Sequence, residues 1–293
     1  MNVSIGVNPI MWSNDDLPHL GAEISLETCL ADAAAAGYAG IELGRKFPRD
    51  PERLAPLLES HGLSLVSGWY GAHLLLRDAR EEAAELQGHL DLLKRMGCKV
   101  LVFAEVTSCT HSESDLGLSR RPRMKRSDWA LFADRVGELA RMTADQGVKL
   151  AYHHHVGTVV QSAADIERLL ETTPDDLWLL LDTGHALYAG ADPAAVAQDH
   201  GARIAHVHCK DVRRAILDRC LNNDSSFPAA VLDGVFTVPG DGCVDYEAVL
   251  SFLRQADYEG WLVVEAEQDP SVAPPARYAN LGYENLQRII ASI

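Results

Sequence analysis

The chain has 293 residues, 47% hydrophobic and 23% charged, proportions ordinary for a soluble globular protein and ample for a full core. A formal net charge of −16 repels polyanions and speaks against general nucleic-acid binding. No stretch approaches the roughly 20 apolar residues of a membrane helix, and Met1-Asn-Val-Ser-Ile-Gly6 lacks the charged head and apolar run of a signal peptide. The expectation is a cytoplasmic chain whose six cysteines, Cys29, Cys98, Cys109, Cys209, Cys220 and Cys243, form no C-x-x-C pair and stay reduced.

Short apolar runs alternate with amphipathic segments from end to end, the pattern of βα units around a parallel sheet. The first strand is expected at Val3–Asn8, with a helix from Ser25 to a C-capping Gly37. The second runs Ala39–Gly44, and Asp50-Pro51 then supplies an N-cap and a proline at the first helical position. The third strand is Leu63–Ser67, its helix about Glu81–Met96, and the fourth strand Lys99–Glu105. A long polar link, about 106–126, precedes a helix capped at Ser127 that runs to Gly147; such an excursion reads as functional.

Strand five is Val148–His155, with a capping box at Ser162–Asp165. Strand six is the apolar run Leu177–Leu181, too short for a helix, ending in Asp182-Thr-Gly-His185. Asp192-Pro193 caps the next helix, which stops at Gly201. Strand seven is Arg203–Cys209, followed by a second long connection, about 213–242. Strand eight is Trp261–Glu267, and a last helix covers Pro275–Ile290. Eight strands in strict alternation with helices predict one closed (β/α)8 TIM barrel, and no glycine-rich phosphate fingerprint follows strand one.

Both long loops leave C-terminal strand ends, where such barrels place active sites. Polar groups gather there too: Asn8, Glu42, Glu105, His153 to His155, Asp182, His206, His208, Glu265 and Glu267. Alternation puts His153 with His155, His206 with His208, and Glu265 with Glu267 on shared faces. Mixed imidazoles and carboxylates suit Mn²⁺, Co²⁺, Fe²⁺ or Zn²⁺ better than Mg²⁺ or Ca²⁺.

Asp182-Thr-Gly-His185, Arg203-Ile-Ala-His-Val-His-Cys-Lys-Asp211 and Gly260-Trp-Leu-Val-Val-Glu265, in that order, resemble the xylose-isomerase-like barrel superfamily of sugar isomerases, epimerases and dehydratases. Gly6-Val-Asn-Pro-Ile-Met-Trp-Ser-Asn-Asp-Asp-Leu17, Gly40-Ile-Glu-Leu-Gly-Arg-Lys-Phe-Pro48, Tyr152-His-His-His-Val-Gly-Thr-Val-Val-Gln161 and Phe236-Thr-Val-Pro-Gly-Asp-Gly242 are similar to the inosose dehydratases within it. The similarity spans essentially the whole chain. It implies metal ligands at Asp182, His208 and Glu265, with His153 where the superfamily usually has a glutamate. His155 or a water remains an alternative to His153, and Glu267 to Glu265.

The resemblance further implies a metal-dependent hydro-lyase, with Mn²⁺ or Co²⁺, acting on a small polyol ketone in myo-inositol catabolism, in a homodimer or homotetramer. Removing a proton beside a ketone and expelling the next hydroxyl needs a base and an acid. Glu267 or His155 is the expected base and His185 the acid; Lys210 and Arg213 would hold substrate oxygens or an enolate. Asn8, Glu42 and Lys46 are expected hydroxyl readers, and Trp12, Trp69 and Tyr70 candidates for an apolar wall. The nearest rival is a metal-dependent isomerase or epimerase of the same superfamily. An endonuclease on abasic DNA conflicts with the acidic charge, and a non-enzymatic binding protein leaves the metal-like donor set unexplained.

Overall fold

The apolar runs pair side by side until the sheet closes on itself. In the computed structural model, which describes residues 1–293, the strands are β1 (Asn2–Val7), β2 (Gly40–Leu43), β3 (Ser64–Ala72), β4 (Val100–Glu105), β5 (Lys149–His153), β6 (Leu177–Asp182), β7 (Ile204–Cys209), β8 (Asp211–Val212), β9 (Phe236–Thr237) and β10 (Glu259–Val264). All but β8 and β9 form a parallel barrel in the order β1-β10-β7-β6-β5-β4-β3-β2; β8 and β9 make a separate antiparallel ribbon. The helices are α1 (Leu26–Ala36), α2 (Pro51–Glu59), α3 (Ala79–Arg95), α4 (Arg126–Ala144), α5 (Ala163–Thr172), α6 (Thr183–Tyr188), α7 (Pro193–His200), α8 (Arg214–Asn222), α9 (Phe227–Leu232), α10 (Tyr246–Gln255) and α11 (Pro275–Ser292). None is long and apolar enough to cross a membrane.

Local chemistry sets the boundaries. Ser25 accepts the Thr28 amide at 3.0 Å to start α1, and Gly37 ends it at φ 100°, where a side chain would be strained. Asp78 with Glu81, and Ser162 with Asp165, close capping boxes on α3 and α5. Every residue of β4 and β7 is buried, as expected of strands covered on both faces. The main core lies between barrel and helices, while Val100, Val102, Ala151, Leu180 and Ala205 form a separate small cluster. His153 and Asp182 stand two residues beyond Ala151 and Leu180 on the same strand faces, so the face that is apolar low in the barrel turns polar at its C-terminal end.

Several ends differ from expectation. β5 stops at His153, because the His155 amide donates to Val160 O (3.1 Å) and the Thr158 amide to His155 O (3.1 Å), forming a turn instead of a ladder. β10 likewise ends at Val264, so Glu265 and Glu267 follow the strand rather than belong to it. β1 ends at Val7, and Asn8 caps a short 3-10 turn by accepting the Ile10 amide at 2.9 Å. β3 runs on to Ala72, pairing with β4 as far as Glu105. α4 begins at Arg126, before Ser127, and the Asp128 carboxylate accepts the Lys125 amide. α6 was not anticipated: Asp182 ends β6 and at once caps this helix through the His185 amide at 2.8 Å.

The connection after β7 holds the ribbon together with α8 and α9. The Asp211 carboxylate gathers it, accepting the amides of Val212, Gly240, Gly242 and Val244 at 2.8 to 3.1 Å. One buried side chain thus replaces the ladder that the loop lacks.

Two glycines give opposite tests of this packing. A Cβ on Gly40 would lie 2.8 Å from Ser64 O and 2.7 Å from Val66 Cγ2, whereas one on Gly88, on the exposed face of α3, meets nothing within 4 Å. Gly40→Ala is expected to cost about 1–3 kcal/mol through overpacking, and Gly88→Ala to add about 0.5–1 kcal/mol through helix propensity. Thermal melts should therefore move in opposite directions for the two variants.

Candidate active site

The polar strand ends converge on one cleft, open to solvent at the C-terminal mouth of the barrel. Its floor is built by Asn8, Glu42, His153, His208, Glu265 and Glu267. Glu42, from β2, is pinned on several sides: it accepts from Ser67 Oγ (2.5 Å), His206 Nε2 (2.9 Å) and Asn8 Nδ2 (2.7 Å). Asn8 Nδ2 also reaches Glu265 Oε2 at 3.0 Å. Asp182 Oδ2 lies 3.3 Å from His153 Nε2 and 3.5 Å from His208 Nδ1, and the Asp182 amide donates to His154 Nε2 at 3.2 Å.

Behind this floor Lys210 is completely buried. Its Nζ lies 2.7 Å from Glu265 Oε1, 3.2 Å from Glu267 Oε2, 3.6 Å from Asp182 Oδ2 and 2.9 Å from His185 Nε2. The aliphatic stem passes over Gly184, where a Cβ would meet Lys210 Cγ at 2.5 Å. That close approach explains a glycine between Asp182 and His185. The His185 ring packs against His155, 3.8 Å away by ring centroids, and Phe227 at 5.7 Å, and those two rings also touch each other at 5.3 Å.

Of the residues singled out from sequence, Asn8, Glu42, His153, His155, His208, Glu265 and Glu267 line the cleft, and Asp182 lies directly beneath His153 and His208. His185 and Lys210 do not reach it; both are covered from behind. Four expected substrate contacts are corrected. Trp12 is buried and donates through Nε1 to Asp32 at 2.9 Å, part of the packing of α1. Lys46 Nζ is spent on the carbonyls of Gly21, Ala22 and Ile24. Arg213 binds Gly234 O, Thr237 Oγ1 and Asp241 Oδ2 at 2.7 to 2.9 Å, tying down the loop after β7. Tyr70 turns away to Glu82 at 2.6 Å, while Trp69 lines the cleft, edge-on to His153 and His155.

Asp15, Asp16 and His111 also line the cleft and were not assigned from sequence. The two acids stand in the quoted Asn14-Asp15-Asp16 run, and His111 lies in the long link after β4; position in those segments was the available signal.

Burial opposes charge on every group here, and neighbours decide the outcome. His208 is held well above the ordinary imidazole range despite burial, because Glu265, Glu42 and Asp182 surround it. Glu42 is held well below the carboxylate range, burial notwithstanding, by His208 and His206. Burial pushes Glu267 up to about 8 against the pull of Lys210. Burial, helped by His111, His153 and Lys210, keeps His155 well below its usual value.

The donors fit a divalent cation. Ligand atoms of His153, Asp182 and His208 lie within 4.8 Å of one another, as do those of Asp182, His185 and Glu265. His208 Nδ1 stands 2.8 Å from Glu265 Oε2 yet makes no aligned hydrogen bond. Such an approach suits two ligands sharing a cation better than two groups sharing a proton. Binding would displace the proton that His208 carries.

Comparison with known proteins agrees with this architecture. Residues 30–289 match the family model described as xylose isomerase-like TIM barrel. The chain is 44% identical over 292 residues to a rhizopine catabolism protein, MocC, of Rhizobium meliloti, covering 100% of this chain and 90% of that one. It is 42% identical over 279 residues to an inosose dehydratase of Geobacillus thermodenitrificans, covering 94% of each. Among solved structures, the IolI protein with a bound zinc atom superposes with a TM-score of 0.70 at 19% identity over 99% of both chains, a likeness of fold. The chain belongs to the xylose isomerase-like TIM barrel family and groups there with the inosose dehydratases.

Proposed function

We infer that the protein is a metal-dependent hydro-lyase that converts 2-keto-myo-inositol (scyllo-inosose) to a trihydroxycyclohexane-1,2-dione with loss of water, in myo-inositol catabolism. The observation that carries this reading is one cleft in which His153, His208 and Glu265, with Asp182 beneath them, stand beside a second pair, His155 and Glu267. Relatives about 40% identical over nearly the full chain bear the name inosose dehydratase.

His153, Asp182, His208 and Glu265 would hold Mn²⁺ or Co²⁺, which supplies Lewis-acid stabilisation of charge developing at the ketone oxygen. His155 Nδ1 donates to Val156 O at 2.7 Å, leaving Nε2 as the basic atom. His155 Nε2 takes the proton from the carbon beside the ketone. Glu267, whose Oε2 is held by Lys210, gives a proton to the hydroxyl leaving the adjacent carbon, and water departs. This role passes to Glu267 from His185, which the cleft does not reach. Trp69 offers its indole to the C–H face of the ring. The reading extends to a cytoplasmic homodimer or homotetramer, which light scattering on metal-loaded protein checks.

Metal-stripped protein should leave 2-keto-myo-inositol intact, and added Mn²⁺ or Co²⁺ should restore loss of water to a dione, followed by ultraviolet absorbance and proton NMR. Release of an isomer of unchanged composition would instead favour the isomerase or epimerase. His155→Gln and Glu267→Gln should each lower kcat by about 10²- to 10⁴-fold while still binding one equivalent of Co²⁺. Asp182→Asn and His208→Gln should lose the metal itself, measured by elemental analysis after dialysis.

A further inference from the structure

We propose that Asp16 and His111 together grip one hydroxyl of the substrate, and that this pair, with the anionic lining of the cleft, restricts the enzyme to uncharged polyols. The proposal rests on the reading of the cleft as a polyol-ketone site.

The two residues come from different loops and meet at the mouth. Asp16 follows β1, in a turn fixed by the buried Asn14 side chain, which accepts the amides of Asp16 (2.8 Å) and Leu17 (2.7 Å). His111 follows β4, and its loop is tied to the turn after β5 by the Thr110 amide donating to Gly157 O at 2.8 Å. Gly157 has φ +85°, and a Cβ there would stand 2.9 Å from the His111 amide nitrogen. These two loops therefore hold His111 in one place, with its ring 5.1 Å by centroid from His155.

Neither side chain is satisfied by the protein. The Asp16 carboxylate receives no hydrogen bond from the chain; His111 Nε2 stands 3.6 Å from its Oδ1. His111 Nδ1 is buried without a partner. A gap of 3.6 Å is too long for a hydrogen bond but admits one hydroxyl oxygen within about 2.7–2.9 Å of both atoms. That hydroxyl would donate to Asp16 and accept from His111, a combination available to an alcohol and denied to an ether oxygen or a C–H. Asp15, Asp16, Glu42, Glu265 and Glu267 line the same cleft with no lysine or arginine among the lining residues. A phosphate or carboxylate at that position on the ring would meet carboxylates with no lysine or arginine to offset them, the metal being engaged by the ketone.

The test uses metal-loaded protein, 2-keto-myo-inositol and its monodeoxy analogues lacking each hydroxyl in turn. Equilibrium binding by calorimetry is measured beside turnover. In wild type, one analogue should bind about 10- to 100-fold more weakly than the full substrate. Asp16→Ala, and Asp16→Asn as the milder change, should weaken the full substrate comparably yet abolish the penalty for that one analogue. His111→Ala should behave in the same way, and an inositol monophosphate should fail to compete with the ketone in wild type.

Equal weakening of every analogue by Asp16→Ala would reduce the residue to a structural latch and overturn the proposal. So would competition by the monophosphate at substrate-like concentration, or the absence of any ketone binding by folded, metal-loaded protein. Asp16-dependent discrimination in binding without loss of water would leave the proposal standing and remove the dehydratase reading.

Discussion

Four carboxylates, Glu42, Asp182, Glu265 and Glu267, are buried together at the mouth of the barrel; burial lets Glu267 keep its proton up to about pH 8, but the other three, held ionised, need cations. Lys210 and His208 supply that charge from within. Burial alone would strip the proton from Lys210, yet Asp182, Glu265 and Glu267 hold its ammonium well above the ordinary lysine range. The requirement spreads outward. Lys210 fits only because Gly184 leaves room for its stem, and Gly184 is presented there because Asp182 both ends β6 and caps α6. The charge balance of the site and the local path of the chain are one constraint.

The barrel divides its strands by depth. Small and branched apolar side chains fill the lower interior, and two residues further along the same faces stand polar groups of the cleft. The long loops then finish the site without contributing much of its floor. Phe227 from α9 and Phe236 from β9 pack against His185, covering the rear of the cluster and lowering its dielectric. Asp211 makes that cover rigid by collecting four amides of the loop. Arg213, expected at the substrate, serves the same cover from outside.

Much of this was readable from the chain. The alternation of runs gave the barrel, because strands buried on both faces leave a continuous apolar signature, and residues just past such runs fall at the mouth. Side-chain reach was not readable. Lys46 and Arg213 lie near strand ends but have long flexible arms that loop carbonyls capture. His155 and His185 are equivalent in sequence logic, yet a turn after β5 presents the first to the cleft and a helix after β6 seats the second behind it. Asp16 and His111 escaped because loop residues carry no periodicity to say which way they face.

The disposition of positive charge also bears on how the ketone is activated. The cleft presents no lysine or arginine, and the nearest, Lys210, directs its ammonium to Glu265, Glu267 and His185 at 2.7, 3.2 and 2.9 Å. An ammonium has three N–H donors, and here all three have partners. Turning one toward substrate would leave a buried carboxylate or imidazole unpaired, at a cost comparable to what the new contact returns. Lys210 is therefore a structural cation rather than an electrophile. On the reading proposed above, stabilising an enolate falls to the cation that His153, Asp182, His208 and Glu265 would hold. The carboxylates that line the cleft favour binding of such a cation.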